Sequence, residues 1–330
     1  MGRYLVTGAA GFIGARVSEM LLAGGHAVVG ADNLNDAYDV RLKAWRLAQL
    51  EDKPGFEFHR LDISDQKELR EFWEVQTANR KPPFDAVINL AARAGVRYSV
   101  ENPWIYFDTN MVGTLNLLEW CRQQGVPKFV LASSSSVYGR DSRLPYQEDR
   151  NTDLPVSPYA ASKKAAETLC YTYHYLHGLD VTVFRYFTVY GPAGRPDMAL
   201  FRLVQWISEG RPATIYGDGA QSRDFTFIED IARGTIAGLA PLGYEIINLG
   251  GDHPASLRDA IAQIETLVGR PAQLQYHPAH PADVPATWAD IGKAGRLLGW
   301  RPQTSLAEGL AALVQWYRAN RAWAKDVATI

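Results

Sequence analysis

Short apolar runs alternate with longer amphipathic stretches through the first half of the chain. Arg3–Thr7 is apolar and β-branched and predicts a buried strand, and residues 12–22 follow with helical spacing. The runs His26–Asp32, Phe56–Leu61, Ala86–Ala91, Lys128–Ala132 and Asp180–Phe187 predict five further strands. The segments between them carry helix signals. Asn102-Pro103 is a cap followed by a first-turn proline, predicting a helix to about Gln124 that stops at Gly125. Ser157-Pro158 repeats the signal, and Gly178 ends that helix. Strand and helix in alternation predict an α/β fold with a doubly wound parallel sheet.

After Tyr190-Gly-Pro the pattern loosens into prolines, glycines and shorter strands. We therefore expect a dinucleotide-binding Rossmann domain over 1–187 and a smaller, discontinuous substrate domain over 188–330. Phe225–Ile231 and Glu245–Gly250 are apolar enough to return to the first domain, so 225–251 is expected to contribute to it. A helix from Ser305 to about Asn320 closes the chain.

Composition narrows the classes. At 330 residues the chain has ample length for a core, and its formal charge of −2 offers no basic footprint for nucleic acid or an anionic membrane. No uncharged apolar stretch of about 20 residues is present, and the first residues enter a strand without a signal-peptide pattern. The two cysteines, Cys121 and Cys170, fall in predicted helices, which fits a reducing cytoplasm. His174 and His177, and His277 and His280, read as surface histidines. No metal site is expected.

Two motifs carry chemistry. Gly8-Ala-Ala-Gly11-Phe-Ile-Gly14 joins the first strand to the first helix. Gly8 permits the tight turn, Gly11 lets the backbone approach a pyrophosphate, and Gly14 lets helix and strand pack closely. The helix N-terminus offers free N–H groups to an anion. Asp32, ending the second strand, can accept from a ribose diol and would repel a 2′-phosphate, favouring NAD over NADP. Arg41 and Lys43 lie near enough in sequence to oppose that preference. Asp62 ends the third strand, where it can meet an adenine amino group or simply cap the strand. The second motif is Tyr159 and Lys163, four apart on the second capped helix and so on one face. A free tyrosine, with a pKa of about 10, is a poor base at neutral pH. A neighbouring ammonium favours its phenolate and makes it a general base and acid. Ser133 to Ser136 end the preceding strand at the sheet's carboxyl edge, and one of those hydroxyls can share a substrate proton with Tyr159. Either motif alone occurs by chance. Together they point to reversible oxidation of an alcohol.

The residues also carry a resemblance over essentially the whole length. Asp32–Lys43, Ala91–Ser99, Ser133–Gly139, Arg185–Met198 and Ser222–Ile231 follow one another in family order. On these segments the chain resembles the extended short-chain dehydrogenase/reductases. Within them it resembles the NAD-dependent nucleotide-sugar 4-epimerases, most of all those acting on UDP-glucuronate. The resemblance implies an isomerase that oxidises the 4-hydroxyl, lets the 4-keto sugar turn, and reduces it on its other face. Tyr159 would be the base, Ser134 its partner hydroxyl, and Lys163 would also bond the nicotinamide ribose. Phe12, Ile13, Asn33, Ile63, Ala91 and Tyr186 would join the glycines, Asp32 and Asp62 around NAD. Ser133, Ser135 and Ser136 would lie along the sugar, and Met198 beside the uracil. Arg223 would meet the pyrophosphate if it is not spent in a surface ion pair, and Asp283 the uridine ribose.

Thr188 stands where many epimerases of neutral hexoses have asparagine. A short hydroxyl with backbone N–H groups, and Arg195 seven residues on, can hold a carboxylate. They would then keep the 4-keto uronate, a β-keto acid, from losing carbon dioxide. Ser135-Ser136 lacks the acid pair of 4,6-dehydratases and the glutamate common in the decarboxylases. A UDP-glucose 4-epimerase is the nearest rival. A non-catalytic NAD-binding scaffold would show a broken motif, and both motifs are intact. Family members pair such helices as Pro103–Gln124 and Pro158–His177 across a dimer, so a homodimer is expected.

Overall fold

Strand β1 (Arg3–Thr7) enters the glycine turn and helix α1 (Phe12–Ala23), and the alternation then runs on as the sequence predicts. In the computed structural model, which describes residues 1–78, 83–141, 143–279 and 284–329, β2 is Ala27–Asp32, β3 Phe56–Arg60 and β4 Ala86–Asn89. Strand β5 is Lys128–Ser134 and β6 is Asp180–Tyr186. Helices α2 (Val40–Ala48) and α3 (Gln66–Ala78) connect the early strands. The six strands are all parallel in the order 3-2-1-4-5-6, the doubly wound order whose switch point lies beside β1.

Alternation along each strand divides the core. Leu5, Val87 and Phe129 pack on one face of the sheet, and their neighbours Val6, Ile88 and Val130 pack on the other. A period of two with apolar residues on both faces is what a sheet covered by helices on each side requires.

The helix predicted from Pro103 differs in detail. The chain first forms α4 (Val96–Glu101), which the sequence reading does not anticipate, and the Asn102 N–H closes it on the Tyr98 carbonyl at 3.0 Å. No side chain caps α5 (Trp104–Phe107), so Asn102 is not the expected cap. One π-helical turn, Asp108–Val112, then leads into α6 (Gly113–Gln124). The wide turn carries buried Asn110 inward, where it exchanges hydrogen bonds of 2.9 and 3.0 Å with the Arg93 backbone and donates to Ser162 Oγ at 2.9 Å. The stop at Gly125 is as expected, with φ 67. Helix α7 (Pro158–His177) has its predicted ends: the Ser157 hydroxyl accepts from the Ala160 N–H, and Gly178 closes it with φ 67.

The second half crosses back and forth. Strand β7 (Thr188–Tyr190) leaves the main sheet directly after β6, and α8 (Ala199–Glu209) and β8 (Pro212–Tyr216) follow. Two short strands come next, β9 (Ser222–Arg223) and β10 (Phe225–Phe227). β10 pairs with β7 and not with the main sheet. The helix after it, α9 (Ile228–Ala237), lies against α1, joined at the surface by Arg16–Glu229 at 2.8 Å. Strand β11 (Tyr244–Leu249) does extend the main sheet, parallel to β6. Strands β12 (Ala255–Ser256) and β13 (Gln273–His277) pair with β9 and β8. Helices α10 (Leu257–Val268), α11 (Gly292–Leu298) and α12 (Leu306–Ala324) complete the chain. A capping box formed by Ser305 and Glu308 starts α12.

Candidate active site

The carboxyl ends of β1, β2, β4 and β5 open into one cleft whose empty volume, open mouth included, is ≈ 1670 Å³. Gly8 turns the chain at φ 69, and a Cβ there would stand 2.8 Å from the Ala91 N atom. A Cβ on Gly14 would meet the Gly8 carbonyl oxygen at 2.0 Å, so only glycine lets α1 sit this close to β1. No side chain caps α1, and its first N–H groups face the cleft beside Gly11, Phe12 and Ile13.

Asp32 reaches the same cleft. Its Oδ1 accepts from the Leu34 N–H at 2.8 Å and from Lys43 Nζ at 3.2 Å. The Asp32–Lys43 pair is buried, so Lys43, weighed in the sequence only as a counter-charge to a 2′-phosphate, is tied to the carboxylate itself. Asn33, Ile63, Ala91 and Tyr186 also line the cleft. Asp62 accepts from both Ser64 donors at 2.9 and 2.6 Å and from Asn33 Nδ2 at 2.7 Å. Burial pushes its pKa up, but these bonds outweigh it and hold it below the ordinary value.

Tyr159 and Lys163 face the cleft from α7. Lys163 Nζ is buried and donates to the Ala132 carbonyl at the end of β5, 2.9 Å away. Burial lowers its pKa to about 8, with Glu167 acting in the opposite sense. The expected lysine-driven lowering of the Tyr159 pKa is not what the structure holds. Burial raises it, and the opposing influences are a hydrogen bond with Ser134 and the charge of Arg195.

The four serines separate by geometry. Ser134, at the top of β5, lines the cleft with Tyr159 and accepts the Ser136 N–H at 3.1 Å. Its neighbour Ser133 points to the other face, as strand alternation demands, and donates to Glu167 Oε1 at 2.6 Å. Glu167 is held by Arg185 through bonds of 3.0 and 2.9 Å, a fully buried pair behind the cleft. Sequence reading passes over Glu167, although its place four residues after Lys163 sets it on the same helix face. Ser135 and Ser136 line the cleft on the one-turn helix that follows.

The opposite wall holds Thr188, Arg195 and Met198, which also border an adjoining cleft containing Arg223. The Thr188 N–H donates to the Asp224 carbonyl at 3.1 Å. Arg195 bonds Asp197 at 3.0 and 2.5 Å and the Ala94 carbonyl at 3.3 Å. Burial lowers the Arg195 pKa, but Asp197 overrides it and leaves the guanidinium above its ordinary value. Asp197, Gln221 and Tyr38 are further site residues that the sequence reading does not single out. Only Asp197, two residues from Arg195, carries a sequence signal, as a charge partner. Asp283 and His280 lie outside the described residues. Among the described residues no cluster of metal-ligating side chains occurs, both cysteines are free and buried, and no helix is long and apolar enough to cross a membrane.

Comparison with known proteins agrees with this geometry. Residues 4–250 match the model of the NAD dependent epimerase/dehydratase family. A UDP-glucuronate 4-epimerase of Thermodesulfobacterium geofontis is 57% identical over 321 residues, 97% of each chain. The crystal structure of UDP-glucuronic acid 4-epimerase from Bacillus cereus, in complex with UDP-glucuronic acid and NAD, is 38% identical with a TM-score of 0.87, covering 96% of this chain and 99% of that one. A UDP-glucose 4-epimerase of Thermotoga maritima, solved with UDP-glucose, is 28% identical with the same TM-score of 0.87, covering 97% and 99%. The chain therefore belongs to the NAD dependent epimerase/dehydratase family.

Proposed function

We propose that the protein interconverts UDP-glucuronate and UDP-galacturonate by NAD-dependent epimerisation at C4. The observation that carries this is that Tyr159 and Ser134 share one cleft with the glycine loop, faced by Thr188 and Arg195. The residues fit the dinucleotide: Gly8 and Gly14 pack the turn against β4 and α1 against the turn where no Cβ fits, α1 begins at the cleft with no side-chain cap, and Asp32 reaches the cleft. Gly11, Asn33, Asp62, Ile63 and Tyr186 complete that end. When NAD is bound, the chemistry it supplies is reversible hydride acceptance at C4 of the sugar.

Tyr159 takes the proton of the 4-hydroxyl, with Ser134 orienting the shared hydrogen bond, and returns it after the sugar has turned. Lys163 holds the end of β5 in place through Ala132 and meets the cofactor's ribose. The cleft runs unbroken from the glycine loop past Tyr159 to the Thr188 wall, and the 4-keto sugar turns within it. Arg223 and Met198, bordering the adjoining cleft, grip the pyrophosphate and the uracil. Thr188 and Arg195 hold the C5 carboxylate out of the alignment that favours C–C cleavage.

The fold superposes equally well on a UDP-glucose enzyme, so substrate choice rests on the Thr188 wall and on the 57% identical relative. Purified protein given UDP-glucuronate and, separately, UDP-glucose provides the test. Accumulation of UDP-galacturonate, with little pentose and no turnover of UDP-glucose, is the expected result. Conversion of UDP-glucose alone would leave the family intact and remove the uronate assignment.

We also propose a homodimer. Trp104, Tyr171, Tyr175 and Leu176 stand exposed along α5 and α7, with Trp104 at 77% and Tyr175 at 75%.

A further inference from the structure

Arg46, on α2, is buried, and among the described residues it pairs with no carboxylate. Its hydrogen bonds go to neutral oxygens. Nε and Nη2 donate to the Ala193 carbonyl at 3.0 and 2.7 Å, and Nη2 also reaches the Gly194 carbonyl at 3.2 Å. Nη1 donates to the Ala10 carbonyl at 3.2 Å and to the Tyr38 hydroxyl at 2.7 Å. These acceptors come from three separate segments: the glycine loop, the loop after β2, and the loop that carries Arg195.

A buried charge without a counter-charge is costly, and an apolar side chain would fill the space more cheaply if packing were all that was needed. What guanidinium adds is a rigid planar fork that holds several carbonyls at fixed relative positions. The loop it holds needs holding. Ala193 adopts φ 52, in the left-handed region that non-glycine residues rarely occupy. A Cβ on Gly194 would lie 3.8 Å from Phe12 Cζ, so the same loop rests on the first residue of α1.

We propose that Arg46 is a positioning residue that clasps the glycine loop to the 191–198 loop and thereby fixes Arg195 against the sugar carboxylate. This rests on the uronate reading above. Its consequence is fidelity. If the carboxylate swings at the 4-keto stage, the C5–carboxyl bond breaks and carbon dioxide leaves. The bond's electron pair enters the enolate of the 4-ketone, and C5 takes a proton. The two electrons removed at C4 then stay on the cofactor. Cleavage depends on bond alignment, so a small displacement of the anchoring residue changes it strongly.

The test compares wild type, Arg46→Met, Arg46→Lys and Tyr38→Phe. Carbon dioxide and UDP-4-ketopentose are measured against UDP-galacturonate, with thermal melting followed in parallel. In Arg46→Met the ratio of decarboxylation to epimerisation should rise about two- to thirtyfold. Arg46→Lys should fall between, because an ammonium reaches fewer of the carbonyls. Tyr38→Phe removes one bond and should give a smaller rise in the same direction. A merely structural role would lower melting temperature and total turnover and leave the ratio unchanged; that result in any folded Arg46 variant overturns the proposal. If the Arg46 variants do not fold, an unchanged ratio in Tyr38→Phe overturns it. Hydrogen exchange of the 191–198 amides reads the clasp without substrate: faster exchange in Arg46→Met or Arg46→Lys supports it, and unchanged exchange rejects it. Failure of wild type to turn over UDP-glucuronate would appear before any variant is compared and counts against the uronate reading.

Discussion

At the residue scale, four consecutive serines looked equivalent in the sequence, and strand geometry makes them different. Successive residues on β5 face opposite ways, so Ser134 stands free to serve Tyr159 while the Ser133 hydroxyl is engaged by Glu167. The sequence shows the alternation but not where the strand ends, and the extra two residues of β5 decide which serine faces the substrate. Tyr159→Phe removes the proton carrier with minimal change of shape. Epimerisation should fall by about 10²–10⁴, the usual worth of a positioned acid–base group, with the melting temperature nearly unchanged. Ser134→Ala should slow turnover by a smaller factor. Ser133→Ala should act mainly on stability, because it strips a donor from a buried carboxylate that Arg185 already neutralises. Rates and melts measured together distinguish the three. Because burial holds Tyr159 above the ordinary tyrosine value, kcat/KM, which reports the groups of the free protein, should rise with pH past neutrality.

At the element scale, legibility follows from how local the cause is. The glycine turn, the Ser157-Pro158 start, the Gly125 and Gly178 stops and the Ser305 capping box are each fixed by residues within a few positions. All appear where the sequence predicts. Helix α4 and the π turn at Asp108–Val112 depend on contacts across the fold, and nothing in the apolar spacing marks them. The π turn exists because Asn110 satisfies both the Arg93 backbone groups and Ser162 on α7. Asn110→Ala leaves those buried partners unmatched. It should cost about 1–3 kcal/mol in denaturant unfolding. Since Ala94, next to Arg93, lines the cleft and accepts from Arg195, it should also weaken substrate binding. A loss of less than 0.5 kcal/mol, within the range of an ordinary surface substitution, would show that the turn does not depend on this residue.

At the scale of the whole molecule, the two walls of the cleft come from segments far apart in the chain, and Asp224 ties several of them together. It is fully buried; Oδ1 accepts the Gly251 N–H at 2.6 Å and Oδ2 the Ala289 N–H at 2.8 Å. Its own N–H bonds Thr287 Oγ1, and its carbonyl receives the Thr188 N–H. No sequence pattern announces this junction, because its partners are remote and three of them are backbone groups. Burial pushes the Asp224 pKa up from 3.8 to about 6, against the pull of the backbone N–H bonds. The sign follows from linkage. Between pH of about 4 and 6 the folded chain binds more protons here than the unfolded chain, so this group's contribution to stability falls as pH rises through that window. Asp224→Asn cannot titrate, and its NH₂ group must face one of two N–H donors. Unfolding in urea across that pH range should show the variant less stable by about 1–3 kcal/mol near pH 4. The gap should narrow as the wild type ionises. A gap that widens with pH instead would mean that the N–H bonds outweigh burial and that the Asp224 pKa lies below its ordinary value. The Thr188 wall hangs on the same residue, so the variant should lose UDP-glucuronate binding along with stability.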